Sequence, residues 1–168
     1  MQLEYFQLID RILDLNLDEK TITVEAQVPR ESTIFEGHFP GYPIMPGVLL
    51  IESMAQTSGW LLLALFKFER MPFLAAVKEA KMRGFVSPGE ILTVEAHLVH
   101  EGSGYAVTEA KIKVGGKLRC NSTITFSHVP FPHPDLRGHM DAVAKRCHYT
   151  TADALSSNGT RSCHEVWM

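Results

Sequence analysis

Apolar and polar residues alternate over residues 9–15 (IDRILDL) and again over residues 21–28 (TITVEAQV), the period-two pattern of half-buried strands. Asn16, Asp18 and Lys20 supply turn chemistry between them, so the pair reads as an antiparallel hairpin. Residues 2–8 ahead of it read as a short helix or a lead-in to the first strand. The alternation stops at Pro29, and residues 29–46 form a loop region with Pro29, Pro40, Pro43 and Pro46 and no lasting period. Residues 47–68 (GVLLIESMAQTSGWLLLALFKF) then predict a long helix. Apolar side chains occupy nearly every face of it, which marks a helix enclosed by its own protein rather than lying on a surface.

Past this helix the chain is almost all strand. Residues 73–82, 91–100, 105–114 and 117–126 carry alternating or β-branched runs, separated by Ser87-Pro88-Gly89, Gly102-Ser103-Gly104 and Gly115-Gly116. The last two separators are short enough for hairpins. The sum is an α+β arrangement: about six antiparallel strands around one long central helix. Beyond residue 127 the pattern weakens; Pro130, Pro132 and Pro134 interrupt it, residues 135–146 suit a short helix, and residues 149–168 read as a mobile tail. One domain over residues 1–127 and a partly disordered C-terminal extension over residues 128–168 are therefore expected.

Composition narrows the class. With 168 residues, 45% of them apolar and 21% charged, the chain suits one ordinary globular domain. A net charge of −3 gives no footprint for nucleic acid. Cys120, Cys147 and Cys163 are odd in number and lack metal-type spacing, which fits a reducing compartment. Cys147-His148 and Cys163-His164 match no zinc pattern, and thiols in a tail are the plainer reading. The start, MQLEYFQLID, lacks the basic-then-apolar order of a secretory signal, so a cytoplasmic location is expected. Residues 39–66 hold Glu52 as their only charge and are long enough to span a bilayer. Pro43, Pro46 and Gly47 break that stretch, Gln56, Thr57 and Ser58 add polarity, and a central glutamate is expensive in lipid; no membrane span is expected.

Candidate chemistry gathers where the loop meets the helix. His38 sits between Gly37 and Phe39-Pro40-Gly41, a stiff setting that holds an imidazole at small entropic cost. A histidine in a rigid connection is also an ordinary thing. Glu52 is harder to explain, because its helical neighbours Leu49, Leu50, Ile51, Met54 and Ala55 are apolar and a buried carboxylate needs a partner or a proton. The plain alternative is a hydrogen bond to a loop amide. Gly47 opens the helix, and the first amides of a helix lack internal partners and suit a developing oxyanion. A base, an acid and amide donors are the parts needed to remove an α-proton from a thioester and expel a β-hydroxyl. Gln56 lies four residues after Glu52 on the same face and could orient its carboxylate, with ordinary core hydrogen bonding equally open. Lys67, Arg70, Lys78, Lys81 and Arg83 form a basic cluster, usually only a solvated face but also suited to steering an acidic carrier protein.

The segment GHFPGYPIMPGVLLIESMAQ closely resembles the signature of the FabZ-like 3-hydroxyacyl-[acyl carrier protein] dehydratases, and KMRGFVSPGE resembles the strand and turn after their central helix. The resemblance covers roughly residues 9–127. It implies a hot-dog fold, a homodimer or a trimer of dimers, and active sites at the dimer interface where the histidine of one subunit meets the glutamate of the other. It implies His38 as the base at C2, Glu52 as the acid at the C3 hydroxyl, and the amide of Gly47, helped by Val48, as the oxyanion donor. Acyl carrier protein is the implied partner, for which Lys78, Lys81 and Arg83 of the basic cluster are the candidate docking residues; no metal or redox cofactor is implied. LEYFQLIDRIL replaces a longer opening segment of the family, and Met82 and Gly84 stand where aromatic and basic residues are common. Phe35-Glu36-Gly37, Met71-Pro72-Phe73-Leu74 and Gly102-Ser103-Gly104 resemble a branch serving very-long-chain acyl synthesis for lipid A. A hot-dog acyl thioesterase and a non-catalytic acyl-carrier-binding module are the rival readings; isomerising relatives typically carry aspartate where this chain has Glu52.

Overall fold

A computed structural model describes residues 1–147. After a short 3-10 turn at Leu3–Tyr5, the elements are β1 (Arg11–Asn16), β2 (Thr21–Gln27), α1 (Thr33–Gly37), α2 (Gly47–Leu65), β3 (Arg70–Met82), β4 (Ile91–Gly102), β5 (Tyr105–Val114), β6 (Lys117–Pro130) and α3 (Pro134–Arg146). All six strands pair antiparallel in one sheet of order β1-β2-β4-β5-β6-β3. The β5–β6 hairpin turns on Gly115 and Gly116, both at positive φ (54° and 77°), which a two-residue turn matching the strand twist requires.

Alternation decides which face of the sheet is covered. Ile22, Val24 and Ala26 of β2, Leu92, Val94 and Ala96 of β4, and Ala106, Ala110 and Ile112 of β5 are all buried and meet α2. Helix α2 packs against β2, β3, β4, β5 and β6, so the sheet wraps it as the apolar pattern predicts. This is the hot-dog arrangement. The buried hydroxyls of α2 are satisfied internally: Ser53 Oγ donates to Leu49 O at 3.0 Å, Thr57 Oγ1 to Ser53 O at 2.8 Å, and Thr108 Oγ1 of β5 donates to Ser58 Oγ at 2.9 Å. By length and composition α2 could cross a membrane, but 67% of its apolar window is buried inside the protein.

Three boundaries differ from expectation for local reasons. The helix stops at Leu65 rather than running to residue 68, because Lys67 and Phe68 take positive φ (51° and 57°) and Phe68 turns inward to 1% exposure. Strand β3 begins at Arg70, since Arg70 and Met71 pair with Pro130 and Val129. For the same reason β6 continues through the expected domain boundary at residue 127. Helix α3 is also more than a loose appendage. His133 caps it, Pro134 occupies its first turn, and Ala144 and Cys147 are 1% and 0% exposed within the core. Cys147 is thus a buried thiol rather than one in a tail, and burial pushes its pKa up. The expected tail at residues 149–168, with Cys163-His164, lies outside the described residues, as does His148.

Candidate active site

The loop that carries His38 is closed on itself. Helix α1 starts at Ser32, whose Oγ accepts from the Ile34 N–H at 3.2 Å and donates to Glu4 at 2.8 Å, and it ends when the His38 N–H reaches Ile34 O. Phe39 and Tyr42 then face each other across a turn, with Pro40 fixing one φ and Gly41 taking φ 79°. The Ile44 N–H returns to His38 O at 3.0 Å, and the Met45 N–H anchors the loop end to Val86 O at 2.8 Å. The imidazole completes the closure through Nδ1, 3.0 Å from Ile44 O. A carbonyl only accepts, so Nδ1 carries a proton, and in the neutral imidazole Nε2 is then the nitrogen with the lone pair. A neutral imidazole with one nitrogen pinned and the other open is the form a general base requires.

Helix α2 begins directly after this loop. Pro46 is its N-cap and provides no side-chain acceptor, while Pro46 O takes the Leu49 and Leu50 N–H groups at 3.0 and 3.2 Å. The N–H groups of Gly47 and Val48 have no acceptor among the described residues. Met82 covers the Gly47 Cα, for a Cβ there would sit 3.4 Å from its methyl carbon. Val48 is 71% exposed beside them. Phe39, Tyr42 and Phe85 are also strongly exposed, the last two in an edge-to-face contact at 6.4 Å. The histidine loop and the open helix end therefore lie among uncovered apolar side chains.

Glu52 stands further along α2 and is half-buried, less enclosed than its apolar neighbours suggest. Its Oε1 accepts from Gln56 Nε2 at 3.0 Å. The same Nε2 donates to Phe6 O at 2.7 Å, and Gln56 Oε1 accepts the Leu8 N–H at 3.1 Å. Gln56 thus ties the carboxylate to the N-terminal segment, a link that sequence reasoning missed because nothing in residues 6–8 marks their backbone as a partner. Along the same helix face runs a groove of about 440 Å³, lined by Glu52, Ala55, Gln56, Gly59, Trp60 and Leu63 on one wall. Met140 and Val143 of α3 line it from the other side. These two were legible in principle: 140, 143, 144 and 147 form one apolar helical stripe.

His38, Gly47 and Val48 do not line this groove. Within one chain, then, Glu52 and Gln56 are joined by a hydrogen bond and share the groove, while His38 stands outside it on the loop that leads into α2. Of the basic residues, Lys78 and Lys81 are exposed on β3, with Lys81 paired to Glu79 at 3.4 Å. Arg83 donates from Nε to Asn121 Oδ1 at 2.9 Å. Glu79, Glu95 and Glu109 share a depression with Arg83, so the charge there is mixed in sign. Among the described residues no group of three or more His, Cys, Asp or Glu is placed to hold a metal ion.

Comparison with known proteins bears on this geometry. The FabA-like domain family matches residues 1–122. The chain belongs to the FabA-like family. Several proteins similar to this FabA-like chain are 3-hydroxyacyl-[acyl-carrier-protein] dehydratases named FabZ. The one from Lactiplantibacillus plantarum is 39% identical over 119 residues, 70% of this chain and 80% of that protein. The Streptococcus thermophilus enzyme is 42% identical over 123 residues, 71% of this chain and 84% of that one. Solved structures share the fold at lower identity. A conserved protein of Pseudomonas aeruginosa superposes with TM-score 0.59 at 22% identity, covering 75% of this chain and 91% of that one. A hypothetical thioesterase with coenzyme A from Streptococcus pneumoniae gives TM-score 0.56 at 15% identity, covering 72% and 90%.

Proposed function

We propose that this chain dehydrates 3-hydroxyacyl groups held as thioesters on acyl carrier protein, giving trans-2-enoyl thioesters and water, as a hydro-lyase of fatty-acid synthesis. The observation that carries the residue assignment is the imidazole pinned through Nδ1 to Ile44 O, on a chain about 40% identical to named dehydratases. His38 Nε2 takes the C2 proton. The electron pair becomes the C2=C3 bond, and the C3 hydroxyl departs as water with a proton from Glu52. The unpaired amide of Gly47, with that of Val48, receives the negative charge that develops on the thioester oxygen. Gln56 holds the Glu52 carboxyl toward the leaving oxygen. Two proton transfers and amide donors suffice for this chemistry, so no cofactor is invoked.

The same proposal includes assembly. His38 does not line the groove that holds Glu52, and Phe39, Tyr42, Val48 and Phe85 near the histidine loop are exposed. A homodimer that sets His38 of one protomer against Glu52 of its partner covers those side chains and completes the site. Three such dimers can join into a hexamer, and acyl carrier protein docks near Lys78, Lys81 and Arg83. A cytoplasmic enzyme of this kind can serve general fatty-acid synthesis or the very-long-chain acyl groups of lipid A, whose branch Phe35-Glu36-Gly37 resembles.

The test is hydration of a crotonyl thioester, followed by loss of enoyl absorbance. His38→Ala and Glu52→Gln each lower the rate by at least about a hundredfold, with the fold retained in circular dichroism. Mixing the two inactive proteins restores turnover, because hybrid dimers collect both lesions in one site and none in the other. Near-normal rates in either single variant sink the residue assignment, and failure of the mixture to recover sinks the shared site. Release of free thiol by the wild type, without enoyl formation, would favour the thioesterase reading.

A further inference from the structure

We infer that α3, which lies beyond the part of the chain matched by the family, forms the far wall of the acyl groove and sets the length of chain that the enzyme accepts. The inference rests on the proposed dehydratase activity. The wall of the groove on α2 runs from Glu52 through Gly59 to Leu63. That stripe covers eleven helical rises, about 16 Å at 1.5 Å each, or roughly a dozen carbon–carbon steps of extended acyl chain. Its chemistry suits that occupant. Trp60, Leu63, Leu74 and Phe126 present apolar surface; among the described lining residues Glu52 is the one acidic group, where the reacting carbons belong, and His139 and Arg146 of α3 are the basic ones. Gly59 adds room, since a Cβ there would meet nothing nearer than Pro72 Cγ at 4.0 Å. A glycine inside a helix costs about 1 kcal/mol against alanine, so an open groove accounts for its presence better than helix propensity does.

Opposite this stripe, α3 is held at both ends. Near its start the Arg137 guanidinium donates to Phe68 O and lies 5.4 and 5.5 Å from the centres of the Phe68 and Phe131 rings. At its end Cys147 O accepts the Ile12 N–H of β1 at 3.3 Å, with Cys147 fully buried. A strap fixed in this way presents Met140 and Val143 to the groove at a set distance from Glu52. Methionine is unbranched and flexible, so Met140 can adjust to an acyl chain while Val143 stays stiff.

The experiment compares kcat/KM for 3-hydroxyacyl groups of four and fourteen carbons on the same carrier protein. Val143→Trp fills the groove and lowers the long-to-short ratio by about tenfold, the effect of losing contact with about two methylenes. Met140→Ala combined with Val143→Ala widens it and raises the long-to-short ratio; this variant decides the matter should the tryptophan variant fail to fold. Unchanged ratios in a folded variant overturn the role of α3. A wild type inactive on every length instead overturns the dehydratase activity on which the inference rests.

Discussion

Gln56 is the residue on which the local geometry turns. Its amide serves three partners, the Glu52 carboxylate, Phe6 O and the Leu8 N–H, and no isosteric apolar group can replace it. Gln56→Leu leaves a backbone donor and an acceptor unsatisfied, which costs about 1–3 kcal/mol and lowers the melting temperature. The same change frees the carboxylate. We expect kcat to fall about ten- to a hundredfold with KM little altered, since misplacing a reacting group mainly affects the transition state. A lower melting temperature with unchanged kcat would reduce Gln56 to a structural bond. Position four after Glu52 made the contact legible in sequence. The backbone of residues 6–8 could not be read, because main-chain donors and acceptors carry no residue-type signature.

Among the elements, β3 stands apart. It is an outer strand of the sheet, thirteen residues long, and leaves Phe73, Leu74, Val77 and Met82 between 37% and 48% exposed. A long apolar edge invites another strand, and a second copy of this chain is the proposed occupant. Phe73→Lys with Val77→Lys should weaken self-association by about a hundredfold, read by light scattering across a dilution series, and turnover should fall with it. A dimer of undiminished strength would place the interface elsewhere. The period-two alternation of β2, β4 and β5 revealed the sheet because one face is packed and the other solvated. In β3 nearly every residue is exposed in the single chain, so its alternation carried little information about facing. The presence of α2 was clear from its apolar content, but its end was not. Two residues with positive φ that are not glycine gave no punctuation for the eye to catch.

At the scale of the molecule, the question is where the folding unit ends. The family match stops at residue 122 and the weakening pattern suggests 127, yet β6 runs to Pro130 and α3 inserts Ala144 and Cys147 into the core. Prolines at 130, 132 and 134 disguised this, since they mark the connection to α3 as strongly as they would mark a linker. A chain that ends at residue 147 is the reference for thermal unfolding. Removing residues 131–168 should cost about 2–4 kcal/mol, the burial of one or two apolar side chains. Equal melting temperatures for the two truncations would show that α3 adds nothing to the core.

The tether from Gln56 to residues 6–8 has a thermal consequence. Segments outside a sheet open more readily than its strands, and each opening of residues 6–8 strips the Glu52–Gln56 pair of two anchors across 48 and 50 residues of sequence. A local opening of residues 6–8 on warming takes away the bearing of the carboxylate while the six strands are still closed. The upper working temperature of the site is then governed by the grip on a few N-terminal residues, and strengthening the core would not raise it.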